Sequence, residues 1–469
     1  MAMGKSRQER QQELWIAATE MPESPGHPFY RRLNELLREG YGGQGFDEYA
    51  EGLCGKFYHE ELGRPGIPPG VYFRMLLIGY FEGIDSERGI AWRCADSFTL
   101  RDFLGYVITD ETPDHSSLSV IRHRIDLETH REVFGWVRNL LAVKGLLKGK
   151  TLGVDATTLE ANAAMRSIVR NDGGESYNEF LTKLAQASGI ATPTREDLVK
   201  IDKTRKNKAS NDDWHNPHDP DARITKMKDG RTHLAHKAEH AVDLDTGAIV
   251  AVTLQPADRG DTDSLWNTLD ESAENLREVA DNPATADCIE GERIVEEVVA
   301  DKGYHSNDTC CDVGGLSIRT YISEPDRGRR DWIDDDGQHM SAEQSAVYAN
   351  RRRIRGRRGK ALLRKRGELL ERPFAHCYET GAMRRTHLRD HGNILKRLLI
   401  HVAGFNLGLA MRAVFGIGKP RRAQDGLFAS VLRVLEPIWD LMDSLWRGLG
   451  RFRRNHPQGE LKIILHAAA

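Results

Sequence analysis

Through the first third of the chain, apolar residues recur at three- and four-residue intervals, the spacing of helices that pack on one face. Val71 to Phe81 is almost wholly apolar. Ser86-Glu87 can open the next helix, which carries Ile90, Ala91 and Trp92, and Ser97 and Thr99 precede Leu100, Phe103 and Leu104. Thr112-Pro113-Asp114-His115-Ser116-Ser117-Leu118 is dense in residues that cap helix N-termini. The helix after it is expected to bury Leu118, Ile121 and Ile125 and to expose Arg122, His123 and Arg124. Val133, Phe134, Val137, Leu140 and Leu141 mark one more amphipathic helix. Residues 1–150 therefore read as helical. An arginine-bearing helix near the end suits a helix-turn-helix DNA contact, and it equally suits a bundle whose arginines are merely solvated.

The period then changes. Leu152-Gly153-Val154-Asp155-Ala156-Thr157 reads as a strand with Leu152 and Val154 on one side and Gly153, Asp155 and Thr157 on the other. Residues 166–230 are rich in Asn, Asp, Lys, Gly and Pro, with short helices expected near Tyr177–Ala187 and Arg195–Lys203. So long a connection is usually functional or mobile. Ala235 to Asp243, the turn Asp245-Thr246-Gly247 and Ala248 to Leu254 predict a hairpin. A helix over 262–280 follows, then Glu297-Val298-Val299-Ala300-Asp301, a buried strand that delivers Asp301 to the edge of a sheet. Ile318 to Ile322 is a further short strand, 326–360 reads as a charged surface segment, and helices are expected over 361–415. Phe428, Val431, Leu435, Ile438, Met442, Leu445 and Leu449 have the three-four spacing of a coiled-coil seam, interrupted by Pro437. The order predicts a mixed sheet flanked by helices.

Composition narrows the class. The 469 residues suffice for two or three cores, and 39% hydrophobic with 29% charged residues fits a globular chain. The net charge of −3 does not suggest a nucleic-acid binder, but RRRIRGRRGKALLRKR at 351–366 makes a strong local positive field. A solvated surface has the same pattern, but the position of the run just before Glu371 favours phosphate contact. Six scattered cysteines without a CxxC pair argue against a zinc ribbon and suggest a reducing location. The polar, charged N-terminus is unlike a secretory leader, and no uninterrupted apolar stretch reads as long enough to span a bilayer, so the expected place is the cytoplasm, without a membrane.

The candidate chemistry is carboxylate chemistry. Asp155 and Asp301 each end an apolar strand, which is the start of an acidic cluster, though an aspartate there is often only a turn residue. Clustered carboxylates persist where a cation holds them, and two Mg²⁺ ions can stabilise the attacking and leaving oxygens of phosphoryl displacement. A third carboxylate could come from Glu368 or Glu371, which are three apart and share a helix face; spacing does not choose between them. Pro373 favours Glu371, because a proline two residues later bends or restarts the helix and can fix its position. His233, His236 and His240 lack a partner at a familiar metal spacing and read as satisfied strand histidines.

The chain resembles the DDE transposases of bacterial insertion sequences, over roughly residues 60–415. The match rests on Pro113-Asp114-His115-Ser116-Ser117-Leu118, Gly153-Val154-Asp155-Ala156-Thr157, Asp219-Pro220-Asp221-Ala222-Arg223 and His233-Leu234-Ala235-His236-Lys237-Ala238. It continues through Ala300-Asp301-Lys302-Gly303-Tyr304, Glu371-Arg372-Pro373-Phe374-Ala375-His376, Gly381-Ala382-Met383-Arg384-Arg385 and Asn406-Leu407. The resemblance implies Asp155, Asp301 and Glu371 as an acidic triad holding two Mg²⁺ ions, for which Mn²⁺ can substitute. It also implies nicking at terminal inverted repeats and attack of the freed 3′-hydroxyls on target DNA. Many relatives carry a tyrosine upstream of the glutamate and a lysine after it. Here Leu363 or a neighbour and Tyr378 stand there, with Arg384 and Arg385 as substitute phosphate contacts, which leaves a hairpin intermediate undecided.

The expected protein is thus an α/β transposase. A helical DNA-binding domain (1–150) precedes an RNase H-like catalytic domain (151–415, with a polar insertion at 166–230) and a helical tail (416–469). DNA contacts are expected from Arg122, Arg124, Lys302, Arg351, Arg352, Arg353, Arg355, Arg384 and Arg385. A homo-oligomer is expected in the synaptic complex. The alternatives are a same-fold metal-dependent nuclease that never joins strands and an inactive DNA-binding derivative.

Overall fold

The computed structural model describes residues 26–59, 66–205, 210–227, 230–289, 294–326, 328, 330, 332–333 and 338–420. The seam from Phe428 to Leu449 lies outside the described residues. Helices come first: α1 (Pro28–Glu39), α2 (Phe46–Cys54), α3 (Pro69–Glu82), α4 (Glu87–Ala95), α5 (Phe98–Phe103), α6 (His115–Arg124) and α7 (Leu127–Val143). Their starts follow from the sequence. Ser86, Ser97, Asp114 and Asp126 each accept a hydrogen bond from the backbone N–H three residues on, which satisfies a donor that the helix cannot. Helix α3 is apolar on every side, and every residue from Gly70 to Tyr80 is buried.

The second part contains β1 (Thr151–Glu160), β2 (Val169–Arg170), α8 (Tyr177–Ala187), α9 (Arg195–Thr204), β3 (Trp214–His215), β4 (Arg223–Lys226), β5 (Thr232–Asp243) and β6 (Ile249–Pro256). It continues with α10 (Asp261–Asp281), β7 (Glu297–Ala300), α11 (Asn307–Gly315), β8 (Arg319–Ile322), α12 (Ser341–Arg355), α13 (Arg357–Phe374) and α14 (His391–Phe415). The sheet is mixed and flanked by helices, in the order β4-β5-β1-β7-β8, with β6 also paired to β5. β1 is antiparallel to β5 and parallel to β7, and β8 is parallel to β7. One face packs on α10 and α11 through Val154, Ala241, Leu265, Val298 and Val313. The other joins Val299 and Tyr321 to Leu362 and Leu370 of α13 and runs into the core of the N-terminal helices and α14.

Three expectations need correcting. Residues 326–360 are not just a surface segment, since α12 covers 341–355 and docks through Val347 and the buried Asn350, whose amide bonds both backbone groups of Ile322. The polar insertion has its own small core, in which Trp214 packs with Ile168, Ile224 and Leu234 while Tyr177 and Phe180 meet its ring edge-on. Finally, α14 is long and apolar enough to cross a membrane by length and composition alone. Of its apolar window, 72% is buried inside the fold, against α3, α7 and β6.

Buried histidines make stability depend on acidity. Burial pushes His130 down to about 4 and His240 and His401 down to about 3. Each stays neutral in the fold but titrates near 6.5 in the unfolded chain, so their stabilisation is complete above pH 6.5 and is lost as pH falls towards 4. Each buried histidine costs about 1.4 kcal/mol per pH unit in that window. Urea midpoints at pH 7 and pH 5 should therefore differ by several kcal/mol of unfolding free energy. A His401→Gln variant should lose part of that difference.

Candidate active site

The register of the parallel pair sets the site. Leu152 lies against Val298 and Gly153 against Val299. Two residues further along stand Asp155 and Asp301; Asp301 follows the end of β7 with an extended backbone (φ −81°, ψ −174°), but Asp155 does not end its strand as expected, because β1 stays paired with β5 as far as Glu160. Alternation places both on the face of Gly153 and Val299, which α13 covers. Gly153 is needed there, because a Cβ would lie 2.7 Å from the Leu370 side chain of α13 and equally close to Leu244.

Helix α13 brings a cation to this face. Arg366 Nη1 donates to Asp155 Oδ2 at 3.0 Å, supplying the positive charge that adjacent carboxylates require. The Ala156 N–H donates to Asp155 Oδ1, and the Gly303 N–H donates to Asp301 Oδ1. Glu368 is exposed and paired with Arg372 on the outer side of α13. Leu369 leans on Gly247 in the β5–β6 turn, where β1 starts. Glu371 is two residues on, about 200° around the helix, so it lies on the opposite flank, away from the start of β1. Glu371 is exposed, and Phe374, one turn later, packs 5.0 Å from the ring of His240, the cross-strand neighbour of Asp155. Pro373 does not restart the helix as expected: α13 runs through it to Phe374, and a π-helical turn follows at Ala375–Thr380.

Further polar groups surround the aspartates that sequence reasoning did not single out. The point where a Cβ on Gly303 would stand is 2.3 Å from Asp261 Oδ2 and 3.1 Å from Asp301 Oδ1, so the two carboxylates converge over this glycine. Lys237 is buried and donates to Asp261 and Ser264. Ser264 and the Tyr304 hydroxyl both donate to the buried Glu239. Burial, then Glu239, then Asp261 and Asp155 raise the Tyr304 hydroxyl well above its usual value. The available signal was positional: Asp261 opens α10 directly after the turn from β6, at the same end of the sheet.

Among the described residues, no three His, Cys, Asp or Glu side chains come close enough together to hold a metal ion. The donors at the strand ends are carboxylate oxygens, the ligand type of hard divalent cations such as Mg²⁺. In donor chemistry they fit such an ion. His233 pairs with Glu160, His236 is buried between Asp219 and His391, and His240 meets the Tyr378 hydroxyl.

The basic residues divide into two groups. Arg122 is not exposed as expected; it is four residues from Leu118 and shares its buried face, where it pairs with Glu87 at 2.8 Å. Arg351 is held by Glu324, whose carboxyl it pulls below the usual range, and Arg353 bonds Thr320. Arg384 bonds Thr157, Thr158 and Glu379 and stacks over Tyr378, the residue at the expected lysine position. Arg124 is exposed over the Tyr58 ring, and Arg385 is exposed at 3.7 Å from Glu160. Lys302, Arg352 and Arg355 are exposed.

Residues 20–124 match the family model described as a Transposase domain (DUF772). This match lies within the helical region and supports a transposase family. No curated protein matches the chain.

Proposed function

We propose that the chain is a DDE-type DNA transposase of a bacterial insertion sequence, with an RNase H-like catalytic part. It binds the terminal inverted repeats, nicks the ends by hydrolysis and joins the freed 3′-hydroxyls to target DNA. The observation that carries this reading is that Asp155, midway along β1, and Asp301, just past the end of β7, stand at the same level of two neighbouring parallel central strands, on the face covered by the helix that bears Glu371. The central order β6-β5-β1-β7-β8, with β5 alone antiparallel to β1 and β6, β7 and β8 parallel to it, supports an RNase H-like fold.

Asp155, Asp301 and Glu371 would hold two divalent ions, Mg²⁺ or Mn²⁺. When bound, these supply charge stabilisation for phosphoryl transfer and lower the pKa of an attacking water. Arg366 orients Asp155 through its bond to Oδ2. Lys302, exposed beside Asp301, is placed to meet a phosphate near the reacting bond. A strand-transfer assay with the inverted repeats and Mg²⁺ tests the reading in a synaptic complex of several copies. Cleavage without joining would leave a nuclease, and binding alone would leave an inactive derivative.

DNA backbone contact should come from Arg352 and Arg355, which lie three apart on α12 and face solvent, rather than from the tethered Arg351 and Arg353. Arg352→Ala with Arg355→Ala should weaken binding for any sequence and lower the salt slope by about two. Arg351→Ala should act mainly on stability. An unchanged slope in the double variant would make this run a solvated surface.

A further inference from the structure

The cap-rich stretch before α6 and the Gly381–Arg385 motif are far apart in sequence, yet both reach the wall of one cavity. It has a volume of about 460 Å³, lies between the starts of α4 and α6, the 382–388 loop and α14, and is lined by none of Asp155, Asp301 and Glu371. Its wall carries four arginines, Arg88, Arg122, Arg385 and Arg397, against two acidic residues, Asp85 and Glu87. Both carboxylates are engaged, Asp85 by His387 and Glu87 by Arg122. Two cations are left over. Arg397 is only 7% exposed, and its one hydrogen bond is to the Ile84 carbonyl; among the described residues it makes no salt bridge. Arg88 is exposed at the first turn of α4 and makes no hydrogen bond or ion pair among the described residues. The first turns of α4 and α6 add the partial positive charge of helix N-termini.

The loop that closes this cavity is strained and firmly held. Ala382 has a φ of 60°, a left-handed conformation that costs a non-glycine residue on the order of 1–2 kcal/mol. Hydrogen bonds from Glu160 N to Arg384 O and from Thr386 N to Glu160 O hook the loop to the end of β1, and His401 Nε2 meets Gly381 O. Glu160 is five residues beyond Asp155, about 17 Å along the strand. That distance is roughly five base-pair rises of DNA.

We propose that this cavity binds a phosphate of the DNA backbone a few nucleotides from the bond held at Asp155, on Arg88 and Arg397. It would thereby couple the helical region to the catalytic part; this rests on the transposase reading above. A buried guanidinium without a carboxylate partner is the group that a phosphate would satisfy with paired hydrogen bonds.

The test is calorimetric titration of the full chain with inorganic phosphate, together with DNA binding at several salt concentrations. Saturable phosphate binding at millimolar concentration is expected, weakened at least tenfold by Arg88→Ala and by Arg397→Gln. Arg88→Ala should also lower DNA affinity and reduce the salt slope by about one. If Arg397→Gln fails to fold by circular dichroism, Arg88→Ala carries the test alone, since that exposed side chain supports no contact. Absence of saturable phosphate binding overturns the proposal, as does an unchanged DNA affinity and slope in Arg88→Ala even if free phosphate binds; DNA joining by the wild type would then still uphold the transposase reading. Failure of the wild type to join DNA ends, with phosphate and DNA binding both lost on Arg88→Ala, would overturn only that reading and keep the cavity.

Discussion

Glu371→Gln is expected to cut metal-dependent nicking by roughly a thousandfold or more, about 4 kcal/mol of barrier, while Glu368→Gln keeps most of it. The two residues share one helix but differ in surroundings. Glu368 points outward and is held by Arg372. Glu371 is exposed on the flank of α13 opposite the one on which Leu369 meets Gly247. The glutamine keeps the shape and removes the charge, so binding to the repeat should be nearly unchanged. Asp155→Asn and Asp301→Asn should match Glu371→Gln in effect, and the three losses should not add, because one unit is broken each time. The reverse pattern, with Glu368 essential and Glu371 dispensable in a Mg²⁺-dependent nicking assay, would move the site one helical turn.

The parts of this site that were legible in sequence are those fixed by local pattern. An apolar run that ends in Asp301 places that carboxylate at the end of β7, and the alternation of Gly153, Asp155 and Thr157 gives the face of Asp155, although β1 runs on past it to Glu160. Helix starts were legible because caps are local chemistry: Ser86, Ser97 and Asp114 do what their side chains allow. What was not legible depends on distant partners. Arg122 looks solvated until Glu87 is seen to face it across two helices. Arg366 belongs to a run that reads as one basic surface, yet it alone turns inward to Asp155. Asp261 carries no pattern of its own and joins the aspartates only because the sheet brings the turn after β6 beside Gly303. Trp214 is a lone aromatic in a polar stretch, and only folding supplies Tyr177 and Phe180 around it.

Arg74→Ala should destabilise the protein by roughly 3 kcal/mol, and Arg74→Lys by about half as much. Arg74 lies in the middle of α3 and is 4% exposed. Its guanidinium forks onto both oxygens of Asp47 at 2.7 Å, donates to Asn34 at 2.9 Å and to the Phe103 carbonyl at 3.1 Å, and stacks 4.8 Å over the Phe103 ring. One side chain thus ties α1, α2, α3 and α5 together within the segment that matches the transposase domain model. Gly70 leaves the room for this, since a Cβ there would lie 2.5 Å from Asp47 Oδ1. The cost of truncation comes from the lost packing and from the Asn34 and Phe103 acceptors left in the core. It is limited by Asp47, whose side chain is 48% exposed and can rehydrate. Lysine keeps the stem and a charge but cannot make the paired bonds. Urea unfolding measures the effect directly. Because the damage is to the framework, DNA binding and nicking should fall together and recover at low temperature, unlike Glu371→Gln, which should lose nicking alone at every temperature.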